Sequence, residues 1–439
     1  MKRIVASIGV AALGAACVQH SNAQDGGDGP WTASVALRGF YDDNVNTTST
    51  GKIETFGFGI SPTVAYALKM DQTTASLAYV YDYKYYDKRP PGNADHNDQS
   101  HIIAASLMHA FNERTTISIT DSFVIGQESD MLRSGTGDAP FQRISGQNVR
   151  NFGSVTVNHQ FTPKFGMEVG YANSLFNYED DAFAVQTFPF TTIPLGVNPI
   201  SNSGVLDRID QTVHVDARWT IQPTTVGLIG YAFSLGNYTA DQPIGVIEDP
   251  ANIANNYLIY SDARDFRSHY VYAGAEHTFL PGLHGRLRVG ARFTDYFNSP
   301  ENQSGTTPYL LASLQYDYSK DSSFQFGLSH DLSATDAFSI QDGSIATAAA
   351  TTVVFASFTH RILPKLSGSL LGQFQNNTFQ GGEFDGDTEQ YYVLNASLTY
   401  QINRHVSTSL SYNYDLLDSS LPNRGFDRNR VFLGATIAY

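Results

Sequence analysis

The residues of this chain best placed to act together lie between His284 and Tyr296. His284, Arg286, Arg288, Arg292 and Tyr296 alternate with Leu283, Leu287, Val289, Ala291 and Phe293, and strict alternation sends the two sets to opposite faces of one extended strand. Tyr270, Tyr272 and Glu276 on the preceding strand share the parity of the charged set. Arginines facing carboxylates create a transverse field in a water-filled passage, and tyrosine rings offer flat faces to sugars. The competing reading is that these Arg and Glu side chains pair with each other to fill a solvated interior, because charge inside a barrel is generic and needs no ligand.

Other candidate groups reach less far. His109, His159, His277, His284, His360 and His405 all fall close to short turns. Imidazole is a common metal ligand, but these histidines are spread over different hairpins, so interfacial packing is the expectation and metal is not. Glu179-Asp180-Asp181 and Glu383-Phe384-Asp385-Gly386-Asp387 have the charge to attract calcium, yet the second lacks the ligand and glycine spacing of an EF-hand loop. Solvated loop charge is expected there. Ser100-His101 and Ser329-His330-Asp331 come nearest to a hydrolytic set. Adjacent strand residues face opposite ways, whereas a nucleophile and its base must meet within hydrogen-bond reach. The chain has no G-x-S-x-G, P-loop, CxxC or HExxH motif, and neither an enzyme nor a cofactor is expected.

What must position these residues is a recurring hairpin. From Ser154 to Tyr178 the sequence reads SVTVNHQF, TPK, FGMEVGYANSLFNY, two alternating arms around a tight turn. The phrase returns from Ala104, Val213, Tyr272, Phe355 and Leu394, a self-similar unit at a spacing of roughly 40 to 60 residues. Short connections near Lys69, Asn112, Thr162, Gln222, Leu280, Ser319, Leu363 and Ile402 alternate with long ones near Thr48, Pro90, Arg133, Phe190, Ile247, Asn302, Gln341, Gly381 and Leu421. A Greek-key sandwich would not separate short from long so regularly. The expected fold is all-β: a transmembrane, antiparallel, up-and-down barrel of about eighteen strands, with short periplasmic turns and long extracellular loops. One miscounted hairpin would make it sixteen.

Composition and termini fit that reading. The 439 residues carry a formal charge of −15, which disfavours nucleic acid as a partner. Tyr 25, Phe 28 and Gly 37 with 16% charged residues suit either a barrel or an extracellular β-sandwich array. No run of apolar residues is long enough for a transmembrane helix, so a membrane location requires strands. Met1-Lys2-Arg3, the apolar stretch Ile4 to Val18 and Ser21-Asn22-Ala23 read as a signal peptide over residues 1–23. A lipoprotein site at Leu13 to Cys17 is the rival, but Gly14 is out of register for it. Cleavage after Ala23 removes Cys17, the sole cysteine, as suits passage through an oxidising periplasm. A leader over residues 24–30 is too short for the plug of a TonB-dependent transporter, and the barrel is assigned to residues 31–439.

Two aromatic belts are expected at the membrane interfaces. One comprises Phe111, Phe161, Trp219, Phe279, Tyr318, Ile362 and Tyr400 at the short turns, the other Tyr83, Tyr86, Phe176, Tyr178, Tyr296, Phe297, Phe379 and Tyr414 toward the long loops. Every outward face reads as apolar, so no patch for subunit contact stands out. The C-terminal Gly434, Ile437 and Tyr439, with Val431, Leu433 and Ala435 outward, resemble the signal read by the outer-membrane barrel assembly machinery. Phe432 departs from it, where a polar residue is usual.

Gly39-Phe40-Tyr41-Asp42-Asp43-Asn44-Val45 and Thr359-His360-Arg361-Ile362-Leu363-Pro364-Lys365-Leu366-Ser367 resemble the β-barrel porin type 2 family of outer-membrane proteins. The resemblance spans nearly the whole mature chain and implies a Gram-negative outer-membrane location and an association with exopolysaccharide production and export. The leading expectation is a passive, porin-like channel for hydrophilic solutes or polysaccharide, with outer-membrane lipids, lipopolysaccharide and exopolysaccharide export components as partners. Loops Glu179 to Val205 and Ala240 to Asp262 are candidates to constrict it. The alternatives are a barrel hydrolase acting on lipid or glycan, and a structural or adhesive barrel closed by its loops.

Overall fold

Long alternating arms separated by tight turns make each strand pair antiparallel with the next. The computed structural model describes residues 29–90, 95–126, 147–179, 202–247, 257–299, 304–337, 346–421 and 424–439. The expected signal peptide and most of the leader lie outside them. The strands are β1 (Trp31–Asp42), β2 (Thr55–Lys69), β3 (Thr73–Tyr86), β4 (Asn97–Asn112), β5 (Thr115–Gly126), β6 (Asn148–Gln160), β7 (Phe165–Tyr178), β8 (Arg208–Gln222), β9 (Thr225–Tyr238), β10 (Pro243–Ile247) and β11 (Tyr257–Tyr260). They continue with β12 (Phe266–Leu280), β13 (Leu283–Asp295), β14 (Ser304–Ser319), β15 (Ser322–Ser333), β16 (Ala348–Leu363), β17 (Leu366–Gln380), β18 (Thr388–Gln401), β19 (Val406–Ser419) and β20 (Phe426–Ala438).

All but β10 and β11 form one 18-stranded sheet. β9 pairs with β12, and β20 pairs with both β19 and β1, so the sheet closes on itself and leaves no edge. β10 and β11 make a separate hairpin inside the β9–β12 connection, which the sequence pattern does not anticipate. The short turns fall where the repeat places them.

The outward faces expose Leu37, Val64, Ile103, Val213, Ile229, Val289, Leu370, Leu410 and Leu433. So largely apolar an exterior is unfit for water and suits lipid. At the short-turn end Phe111, Phe161, Trp219, Phe279, Ile362 and Tyr400 are exposed, as a belt requires. There the histidines pack rather than gather. His109, His159 and His277 each share a hydrogen bond with a cross-strand hydroxyl, of Thr73, Thr115 and Thr225, and each ring meets the Phe two residues on edge to face.

The second expected belt needs correcting. Tyr86, Phe176, Tyr178, Tyr296 and Phe379 are buried on the inner side of the wall. They share strand ends with outward aromatics but have the opposite parity, and parity decides the face. The C-terminal strand does follow its pattern. Leu433, Ile437 and Tyr439 point outward, while Phe432 turns in against Phe40 with ring centroids 5.9 Å apart. Gly434 faces inward, close to the Leu37 carbonyl of β1.

At the other end the long connections lean over the mouth and bind one another. A short helix, α1 (Asn202–Leu206), precedes β8, and a 3-10 turn at Ser261–Arg264 precedes β12. Arg264 from that turn donates to the carbonyls of Val205 at 2.7 Å, Thr335 at 2.8 Å and Thr347 at 3.3 Å. Those carbonyls belong to the β7–β8 and β15–β16 connections, with β9, β12, β13 and β14 between them in the wall. Arg424 of the β19–β20 connection extends the chain of contacts to Asp336 and Glu389, both at 2.9 Å. Burial disfavours the Arg424 charge, but these carboxylates more than offset it and raise its pKa above the ordinary arginine value.

Candidate functional site on the inner wall

β7, β8, β9, β12 and β13 run side by side, and every second residue of each faces the interior. On β7 and β8 these positions bring Glu168 opposite Asp216, with His214 and Arg218 on either side. On β12 and β13 they bring Glu276 opposite Arg286, and Tyr270 opposite Arg292. The basic ladder expected from sequence therefore faces a second charged column.

The two columns lock together. Arg218 holds Glu276 with two bonds, Nη2 to Oε2 at 2.6 Å and Nη1 to Oε1 at 3.2 Å, the strong bidentate form. Arg286 Nε approaches the same carboxylate at 3.2 Å, and Arg218 also reaches Glu168 at 3.5 Å. Arg288 Nη2 donates to Asp216 Oδ2 at 2.8 Å and lies 3.8 Å from Glu168. Tyr272 spans β9 to donate its hydroxyl to Asp216 Oδ1 at 2.5 Å. Gly230 of β9 makes this crossing possible, because a Cβ there would strike both the Tyr272 ring and the Asp216 carboxylate.

Higher up, Arg292 is nearly enclosed. It donates to Ser268 Oγ at 3.0 Å, to the Leu332 carbonyl at 2.6 Å and to Asp331 at 3.3 Å, and it lies 5.0 Å from the Tyr270 ring. Tyr270 donates to the same Asp331 at 3.2 Å. Tyr296 packs edge-on to Phe266 rather than into the passage. Together with Arg208, Asp210 and the β15–β16 connection, these residues border a polar cavity of about 240 Å³.

The anticipated inner residues thus lie inside the wall, but as two groups: Glu276, Arg286, Arg288 and Tyr272 midway, and Tyr270, Arg292 and Tyr296 under the loops. His284 stands apart near the short turn, bonded to Thr278. Sequence reading passed over Glu168, His214, Asp216 and Arg218, and named Asp331 only as part of a hydrolytic run. The available signal was charge at inner parity on β7, β8 and β15. It also passed over a fully buried set at the seam, where Arg428 meets Asp42 while Arg430 and Tyr391 share Asp415 at 3.0 and 3.2 Å.

The run Ser329-His330-Asp331 is not assembled into a relay. His330 bonds Thr352 on the outward face, and Asp331 is held inside by Arg292. Of the acidic loop residues, Asp180 and Asp181 lie outside the described residues, while Asp385 accepts from the Gly381 amide and Asp387 from Ser420. Glu168, His214 and Asp216 do place ligand atoms within 4.8 Å of one another. Arg218 and Arg288 already neutralise those carboxylates, and a dication would sit against two guanidinium groups.

Residues 255–439 match the family described as Putative beta-barrel porin 2. The matched stretch runs to the end of β20 and includes the Thr359 to Ser367 hairpin, whereas the Gly39 to Val45 segment lies outside it. It is thus shorter than the nearly complete resemblance expected from sequence. Among solved structures the chain is similar to the outer membrane protein opdK from Pseudomonas aeruginosa, at 11% identity over 93% of this chain and 99% of that one, TM-score 0.41. It is similar also to a BenF-like porin from Pseudomonas fluorescens Pf-5, at 10% identity over 93% and 99%, TM-score 0.43. A third is Acinetobacter baumannii OccAB4, at 12% identity over 93% and 98%, TM-score 0.43. No curated protein matches the chain.

Proposed function

We propose that this protein is a passive channel of the Gram-negative outer membrane for small hydrophilic solutes. The observation that carries the proposal is the contrast across one closed wall: apolar residues outside, and inside the interlocked Glu168, Arg218, Glu276, Arg286, Asp216 and Arg288. Such a wall supplies fixed alternating charge to a watery passage without presenting a strong binding site to trap the solute. The arginines named from sequence, with Glu276, Tyr270, Tyr272 and Tyr296, act as a selectivity surface shared with the β7 and β8 residues. The loop contacts of Arg264 and Arg424 narrow the outer mouth, which favours small solutes over polymers.

Passage of polysaccharide, and a place beside exopolysaccharide export components, rest on the family resemblance alone. Recognition by the assembly machinery rests instead on the C-terminal pattern of Gly434, Ile437 and Tyr439. Liposome swelling with neutral sugars of increasing size tests the proposal. Entry of monosaccharides with exclusion of long oligosaccharides is expected, and liposomes that admit none would refute it.

A further inference from the structure

Most arginines of the inner wall are neutralised. Arg218, Arg286, Arg288, Arg292, Arg428 and Arg430 each pair with a carboxylate. Arg38 of β1 does not. It has the inward parity of Phe40 and Asp42 and is exposed to the passage. Among the described residues it has neither a carboxylate partner nor a hydrogen-bond acceptor. Its register neighbours on both sides are glycines, Gly59 on β2 and Gly434 on β20, so no side chain shields it along the row. The Arg38 stem lies over Gly434, where a Cβ would stand 3.0 Å from Arg38 Cγ and 3.5 Å from the Ser409 hydroxyl of β19. That hydroxyl has no hydrogen-bond partner among the described residues. Beyond it the row continues through Thr399 of β18 and Ser367 of β17, both neutral.

The acidic groups of the same wall are committed elsewhere. Asp42, four residues on from Arg38, is taken by Arg428, and Asp82 of β3 lies 3.5 Å from Lys84, a pair without net charge. Eight strands separate β1 from β12 in either direction, so Glu276 stands across the passage, where Arg218 and Arg286 hold it. A fixed charge left unneutralised in a watery pore decides which ions dwell beside it. We propose that Arg38, with Ser409 next to it, is a transient site for small anionic solutes. The guanidinium and the hydroxyl both donate to a passing anionic oxygen. The inference rests on the channel reading and names its solute class. It makes the passage prefer anions although the chain carries a formal charge of −15. A single guanidinium in water attracts without trapping, as passage requires.

Two measurements on the folded barrel keep the site and the channel apart. In a planar bilayer under a dilute potassium chloride gradient the parent should favour chloride. Arg38→Gln should lower the chloride-over-potassium permeability ratio roughly threefold, the effect of one screened charge about 6 Å from a passing ion, and Arg38→Lys should retain it. In detergent, Ser409→Cys should react faster with a negatively charged methanethiosulfonate than with a positively charged one, each rate taken relative to a free thiol. Arg38→Gln added to Ser409→Cys should make the two rates equal. A folded barrel that passes no current would refute the channel reading, while unequal thiol rates in that same barrel would uphold the anion site. Equal thiol rates with Arg38 present, or a permeability ratio that ignores Arg38→Gln in a conducting barrel, would overturn the inference and leave the channel standing.

Discussion

Arg428 of β20 donates Nε to both carboxylate oxygens of Asp42 on β1, at 3.0 and 2.9 Å, across the seam where the last strand meets the first. Both side chains are almost fully buried. The pair therefore sits where closure of the wall is completed, and its loss should be felt as loss of closure.

Removing one partner strands a buried charge, at a cost of about 3 to 5 kcal/mol. Asp42→Ala should lower the urea midpoint of the folded barrel in lipid vesicles accordingly, and Arg428→Met together with Asp42→Leu should recover much of it. Equal stability of the single variant and the parent would show that the seam is held by backbone pairing alone.

The mouth gives a second expectation. Arg264 ties carbonyls of separate connections together, so Arg264→Ala should release them and widen the entrance. Higher conductance and faster proteolysis within the loops should appear together, with the strand signal in circular dichroism unchanged. Unchanged conductance with faster proteolysis would mean that these loops do not obstruct the passage.

Charge balance on the inner wall predicts ion preference. Glu276→Gln removes a negative charge held by Arg218 and Arg286, leaving their positive charge facing the passage. The reversal potential in a salt gradient should shift toward anions, and Arg286→Gln should shift it toward cations. Shifts of the same sign for both would place these residues outside the ion path.

Gly230 tests how the wall is built. Gly230→Val should push the Tyr272 ring off β9 and break its bond to Asp216, lowering stability by about 1 to 3 kcal/mol through overpacking. Gly372, where a Cβ would meet nothing within 4 Å, provides the control substitution.

Period-two alternation and the contrast of short and long connections carried strand number, topology and the outward face of β20, because in a closed antiparallel sheet these follow from local pattern. The same alternation identified Arg286, Arg288 and Arg292 as inward. It could not show that Asp216 and Tyr272 meet over Gly230, since that contact depends on which strands are neighbours and on how far a ring can lean. The expected outer belt mixed both parities, so Tyr86 and Phe379 were misplaced although the rule that places them was in hand. The Arg264 contacts were illegible because they join loops distant in sequence.

Single-channel recording of the refolded protein in a planar bilayer tests the central claim most directly. Stable, stepwise conductance whose ion preference moves in opposite directions with Glu276→Gln and Arg286→Gln is the predicted result. Silence from a barrel shown to be folded, with Arg264→Ala silent as well, would contradict the channel and leave a wall built for another purpose.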